Sequence, residues 1–285
     1  IPLWTTAMPH KARPKSLAVS SAAGSLPAGK VVYFPSCINQ RMGLARRDPA
    51  KKCLIDETVE LLHKAGYEVV FPANMSKLCC GMTWESKGMP DVADAKTAEL
   101  EAALRKASED GKYPILCDAS PCLHRMRDHI KGLKLYEPVE FIDEYVLDKV
   151  DITKVDACVA VHATCSTRKM GLVDRLLKVA KACARDVVLP EDVGCCAFAG
   201  DKGFTNLDHG LFVEEVKRQF RAVTGTPLKS SSPPPHWSRP DMLPAMPQAG
   251  TGPHPKIKTQ SSRTLSAFPA KFTAKTSRVC PRPVK

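Results

Sequence analysis

No apolar run in this 285-residue chain approaches the about 20 residues that a membrane-spanning helix requires. No charged-then-apolar leader opens the chain either, so a cytoplasmic setting is the expectation, at most peripheral to the inner face of a membrane. A glycine-rich phosphate loop is missing, as is any Ser, His and Asp spacing that would support a hydrolytic triad. With no export signal, the twelve cysteines are expected to stay reduced, and metal binding or catalysis then outranks a disulfide framework. The chain begins with Ile1 rather than Met, which reads as a processed protein or a piece of a longer one.

Acidic residues are scarce in one region only. From Gly225 to Lys285 there are ten Lys or Arg against a single acid, Asp241, which accounts for +9 of the total +12. Twelve of the 24 prolines lie in the same stretch. The basic balance therefore belongs to the tail, and no nucleic-acid partner is expected from it. A Pro-rich, Ser-rich basic segment without periodicity reads as disordered. Such an abrupt loss of pattern is what a shifted reading frame or a mis-spliced gene model produces, the alternative being a genuine extension that grips anionic lipid.

What is present is 44% hydrophobic and 25% charged, enough to build a core. Residues 1–30 read as a linker or the remnant of an upstream domain. Regular patterning then begins. Val31 to Phe34 is an apolar strand, and Leu54 to Ala65 a helix stopped at Gly66. Tyr67 to Phe71 is a second strand, Asp91 to Glu109 an Ala-rich helix, Tyr113 to Cys117 a third strand, and Pro121 to Ile130 a further helix. Strands alternating with helices imply an α/β fold with a mainly parallel sheet, since parallel strands need crossovers. A second round follows: strand Ala157 to His162, helix Leu172 to Ala184 and strand Val187 to Leu189.

The two rounds echo each other in their cysteines. Cys37 is followed by Cys79-Cys80-Gly81, and Cys165 by Cys195-Cys196-Ala197 after Gly194. Cys165 lies 128 residues beyond Cys37, and each is followed after four residues by Met-Gly, at Met42-Gly43 and Met170-Gly171. We read two duplicated lobes, 31–150 and an incomplete 151–224, each a mainly parallel sheet with flanking helices and a cysteine site at the strand ends. Adjacent cysteines make poor disulfides and good soft ligands, so iron-sulfur ligation is expected at Cys37, Cys79, Cys80, Cys117, Cys122, Cys165, Cys195 and Cys196, with Gly81 and Gly194 freeing backbone N–H groups for the sulfurs. Structural zinc is the rival. Cys53, Cys158 and Cys183 read as core, His124 and His162 as hydrogen-bonded residues with ligand or proton carrier as the alternative, and Asp118 and Asp201 as helix caps or else hydrogen-bond acceptors in the cysteine loops. Trp84 either shields the site or packs.

At these residues the chain resembles the cysteine-rich CCG-domain proteins, in particular the C-terminal part of bacterial FAD and iron-sulfur D-lactate dehydrogenases, relatives of the iron-sulfur component of glycolate oxidase and of the cysteine-rich component of heterodisulfide reductase. The likeness runs from about Pro2 to about Phe204 and rests on Tyr33-Phe34-Pro35-Ser36-Cys37, Leu78-Cys79-Cys80-Gly81-Met82, Cys117-Asp118-Ala119-Ser120-Pro121-Cys122, His162-Ala163-Thr164-Cys165-Ser166 and Val193-Gly194-Cys195-Cys196-Ala197. The family pattern is a lone Cys, a Cys-Cys-Gly and a Cys-x-x-Cys, twice. Here Ala119 stands where the first cysteine of Cys-x-x-Cys belongs, with Cys117 two positions earlier, Ala197 replaces glycine, and the closing cysteines of the second round are missing. The resemblance implies a 4Fe-4S-type cluster passing electrons from flavin to a cytochrome or quinone, or a thiol-disulfide module in the reductase branch. It also implies partners: the FAD-bearing and ferredoxin-like parts of the same enzyme, both missing from this chain, which could not then oxidise D-lactate alone.

Overall fold

The structure, a computed structural model, describes residues 11–16, 29–44 and 50–189. The expectations for Gly194, Cys195, Cys196, Asp201, the rest of the second lobe beyond 189 and the basic tail lie outside the described residues.

The first sheet has four strands, β1 (Gly29–Phe34), β2 (Tyr67–Val70), β3 (Ile115–Cys117) and β4 (Leu135–Tyr136), in the order β2-β1-β3-β4 and parallel throughout. Its helices are α1 (Cys37–Arg41), α2 (Leu54–Lys64), α3 (Met82–Glu85), α4 (Pro90–Ala107), α5 (Ser120–His129) and α6 (Pro138–Phe141). β1 sits between two neighbours, which is why Val31, Val32, Tyr33 and Phe34 are all buried rather than alternating with polar residues. Successive side chains point to opposite faces. Val32 and Phe34 join Ile115 and Cys117 under Leu100, Leu104, Leu123 and Met126 of α4 and α5. Val31, Tyr33 and Leu116 pack on the other face against Ile55, Val59 and Leu62 of α2 and Phe141 of α6. The result is a three-layer helix–sheet–helix sandwich.

Local sequence explains the helices. In α2 the buried positions Ile55, Val59 and Leu62 recur at helical spacing, and Gly66, at φ +82°, turns the chain back into β2. α4 begins at Pro90, whose missing N–H would have had no helical partner anyway, and buries Ala93, Thr97, Leu100 and Leu104 along one stripe. The chain after α4 turns through three left-handed residues, Glu109, Asp110 and Gly111, rather than through the glycine alone. β4 and α6 were not legible as elements; α6 is fixed by a capping box in which the Glu137 carboxylate accepts from the Val139 N–H and the Glu140 carboxylate accepts from the Glu137 N–H.

Part of the expected N-terminal linker is docked. Ala12 is buried and its N–H donates to the Arg41 carbonyl, Lys11 bridges Met42, and Ser16 donates from both its backbone N–H and its hydroxyl to Asp56.

The second unit contains β5 (Val155–Ala160), α7 (Cys165–Lys169), α8 (Val173–Cys183) and β6 (Ala184–Val188), with β5 and β6 paired in parallel. β6 starts directly at the end of α8, three residues before the strand expected from Val187. Both units place the same local run in order: strand, lone cysteine at the first position of a five-residue helix, an eleven-residue helix, then a parallel strand. A third apolar cluster, in which Val139 of α6 meets Val161, Leu176, Val179 and Ala180, joins the second unit to the first.

Candidate metal centre

In an open parallel sheet the strand order reverses at one point, and the loops leaving the strands there part to opposite faces. The order β2-β1-β3-β4 puts that point between β1 and β3. β1 leads through Pro35 and Ser36 into Cys37; β3 leads through Asp118 and Ala119 into α5, which carries Cys122 in its first turn. β2 leads to Cys79 and Cys80. Three strand ends therefore deliver cysteines to one rim of the sheet.

The four thiols of Cys37, Cys79, Cys80 and Cys122 meet there. Cys37 interacts directly with Cys79, Cys79 with Cys80, and Cys80 with Cys122. Cys80 is buried, while the other three are partly exposed. Hydrogen bonding in this row converges on one sulfur. Cys79 is pushed down to about 2 by hydrogen bonds from Cys37, then from Cys80 and from the Gly81 N–H, which lies 3.4 Å from its sulfur, against the opposing cost of burial. Cys37 is pushed up by its bond to Cys79 and then by burial, and Cys80 is pushed up by Cys122, then by Cys79 and burial. Among the described residues no three or more His, Cys, Asp or Glu side chains are placed to hold a metal ion. The thiols stand instead in thiol–thiol contact. By donor chemistry they fit a thiolate-ligated iron-sulfur group: four soft sulfurs delivered from three strand ends and a backbone N–H directed at one of them.

Cys117 is set back. It is fully buried in β3, its thiol donates toward the Ala119 carbonyl at 3.8 Å, and burial, followed by Cys122, pushes it up. Cys117 thus lies in the same apolar cluster as Cys80 and Cys122, with its thiol turned to a backbone carbonyl. Cys165, first residue of α7, is exposed. Of the cysteines read as core, Cys53 precedes α2 and faces Asp56, Cys183 ends α8, and both are only half-buried. Cys158 lies within β5.

Three features fix the loops. Asp118 is not a helix cap: it is buried and accepts from the Ser36 N–H at 2.7 Å and from the Tyr33 hydroxyl at 2.8 Å, so it ties the end of β3 to the start of α1. Burial raises its carboxyl despite those bonds. Gly81 is left-handed at φ +86°, and a Cβ there would stand 2.5 Å from the Ala93 carbonyl oxygen, 2.7 Å from Arg125 Nε and 2.8 Å from Thr97 Oγ1. Finally the Cys80 carbonyl accepts from Thr97 at 3.0 Å and from Arg125 Nε at 3.1 Å.

Arg125 went unnoticed in the sequence. Its side chain is 1% exposed, and its outer nitrogens reach Glu85 at 2.7 Å and Asp94 at 2.6 Å. One signal could have found it: Arg125 follows Cys122 by three, the spacing that puts two side chains on one helix face. The remaining candidates are less central. His124 pairs with Asp128 at 3.1 Å, burial and then Arg168 lower His162, and Trp84 is 37% exposed.

Residues 31–127 match the family model of the CCG cysteine-rich domain. That span starts in β1, ends in α5, and contains all five cysteines of the first constellation. Among characterised proteins the chain is similar to lactate utilization protein A of Macrococcus caseolyticus (strain JCSC5402), at 28% identity over 195 residues, covering 60% of this chain and 71% of that protein. No solved structure matches the chain at a significant level.

Proposed function

We propose that this chain is an iron-sulfur electron-transfer protein of lactate utilisation, and that Cys37, Cys79, Cys80 and Cys122 hold a 4Fe-4S-type cluster. The observation that carries the reading is the meeting of four thiols from three strand ends at the switch point of a parallel sheet. The likeness to lactate utilization protein A supports the substrate context. In the finer reading the chain is the C-terminal region of an FAD-linked D-lactate dehydrogenase, receives electrons from flavin and gives them to a cytochrome or quinone, and carries a second constellation on Cys165, Cys195 and Cys196.

A bound iron-sulfur cluster supplies one-electron storage between donor and acceptor. The protein's own residues do the positioning. Gly81 gives its N–H to the Cys79 sulfur, Arg125 and Thr97 hold the Cys80 carbonyl, and Asp118 pins the loop that presents Cys37. The N–H donor and the nearby buried guanidinium both favour added negative charge at the sulfurs.

Anaerobic purification tests the coarse reading: broad visible absorbance with bound iron and sulfide is expected, and a colourless protein holding zinc would overturn it. Supplying the flavin-bearing and ferredoxin-like parts should then permit D-lactate to bleach that absorbance. Bleaching by a disulfide–dithiol couple, and never by D-lactate, would move the protein to the thiol-disulfide branch.

A further inference from the structure

Away from the thiol row, a crevice of about 1260 Å³ opens between the docked segment at residues 11–16, the start of α2 and the outer strand β2. Six cationic side chains line it, Lys11, Arg13, Lys15, Lys51, Lys52 and Lys64, against two carboxylates, Asp56 and Glu60. Both carboxylates are already engaged. Asp56 accepts from Ser16 and from the Cys53 thiol, and Glu60 is paired with Lys52 and Lys64. The side chains of Lys11, Arg13, Lys15 and Lys51 are exposed and make no ion pair with any described residue. Among the described residues the crevice is therefore a concave surface with positive charge that no carboxylate compensates, and its lining includes the apolar Leu44, Val59, Val69 and Phe71.

Its position relates it to the cysteines. Helix α1 begins at Cys37, and Gly43 and Leu44, just past its end, line the crevice. A five-residue helix is about 8 Å long at 1.5 Å per residue.

We propose that this crevice is the docking site of a partner redox protein, which enters it with an acidic segment bearing apolar side chains. The proposal rests on the electron-transfer reading above and deepens it. Carboxylates on the partner would meet the four cations that no described residue pairs, and its apolar side chains the apolar part of the lining, so that a specific encounter forms beside the segment that leaves the Cys37 helix. A flat bilayer cannot reach the floor of a concavity. A nucleic-acid backbone would meet the two fixed carboxylates and offers the apolar part of the lining little.

The test uses the full chain and, as probe, a fluorescein-labelled peptide of alternating glutamate and leucine, titrated at low ionic strength. Lys11→Glu, Arg13→Glu and Lys51→Glu together should weaken binding about tenfold or more. The same charge change at exposed positions outside the crevice, Lys106→Glu, Lys169→Glu and Lys181→Glu together, should weaken it much less. Thermal melts establish that both triples fold. Equal weakening by both triples, or no binding by the unaltered protein, overturns the proposal. So does tighter binding of anionic vesicles or of RNA than of the peptide, with the same dependence on the crevice triple. Iron content is measured on the same samples: loss of the redox reading would show as missing iron, whereas failure of the docking reading would show in the peptide titration with iron present.

Discussion

Arg125 donates from Nε to the carbonyl oxygen of Cys80 at 3.1 Å. A permanent cation thus stands directly behind the paired cysteines, and the same guanidinium reaches Glu85 and Asp94 with its outer nitrogens. One side chain thereby links α5, the Cys-Cys turn, α3 and α4.

Arg125→Met should remove the charge-assisted bond to Cys80 and cost about 2 kcal/mol, within the range for hydrogen bonds to charged groups. The ion pairs add little, because Glu85 and Asp94 are about half exposed. Arg125→Lys keeps the charge but not the planar fork, so it should recover only part of the loss. Urea unfolding reads the stability, and iron content after anaerobic reconstitution should fall in step. Full stability and full iron in the Met variant would contradict the role.

Gly81→Ala compares usefully with Gly88→Ala. Both positions are left-handed, at φ +86° and +75°, so each substitution carries a backbone cost of about 1–2 kcal/mol. Only Gly81 adds a clash, with the Ala93 carbonyl oxygen 2.5 Å from the added Cβ, whereas Gly88 has open space. The Gly81 variant should therefore lose clearly more stability and should fail to take up iron. Equal unfolding midpoints in the two variants would show that the turn can shift.

A cysteine series tests the ligand set. Serine at 37, 79, 80 or 122 should remove most visible absorbance, since the four thiols form one contact row. Cys53→Ser and Cys183→Ser should leave it. Cys117→Ser separates the geometry from the sequence spacing: with its buried thiol turned to the Ala119 carbonyl, absorbance should persist. Uniform iron content across all seven variants would remove the assignment.

The sheet was legible because its strands are short apolar runs punctuated by Pro and Gly, and because cysteines mark their ends. The positions of Cys37, Cys79, Cys80 and Cys122 followed from that alternation. Strand order did not, since pairing is decided by packing between segments far apart in sequence, and so the location of the site at the β1/β3 reversal emerged only from the fold. Asp118 looked like a cap because Asp before a helix usually is one; its burial against Tyr33 is a tertiary choice. Arg125 was hidden for the same reason: a charged residue in a polar-looking helix is expected to face solvent. β4 was missed because two residues carry no periodicity.

Glu137 supplies a pH test at a buried group outside the thiol row. It is 3% exposed and accepts from the Ser120 hydroxyl at 2.9 Å and from the Val139 N–H at 2.6 Å. Burial raises its carboxyl above the ordinary value of 4.5, with the bonds from Val139 and Ser120 opposing. The native state therefore keeps this proton at pH values where the unfolded chain has released it. Between the unfolded and folded values the native state binds more protons, and the linkage slope is negative: the contribution is complete below 4.5 and is lost as pH rises through the folded value. Glu137→Gln, which cannot ionise and retains one carbonyl acceptor, should lose that part of the slope. Urea midpoints of the two proteins, followed upward from pH 4.5, should then fall more steeply in the wild type than in the variant. Parallel curves would mean that the carboxyl ionises in place, stabilised by the Ser120 and Val139 donors.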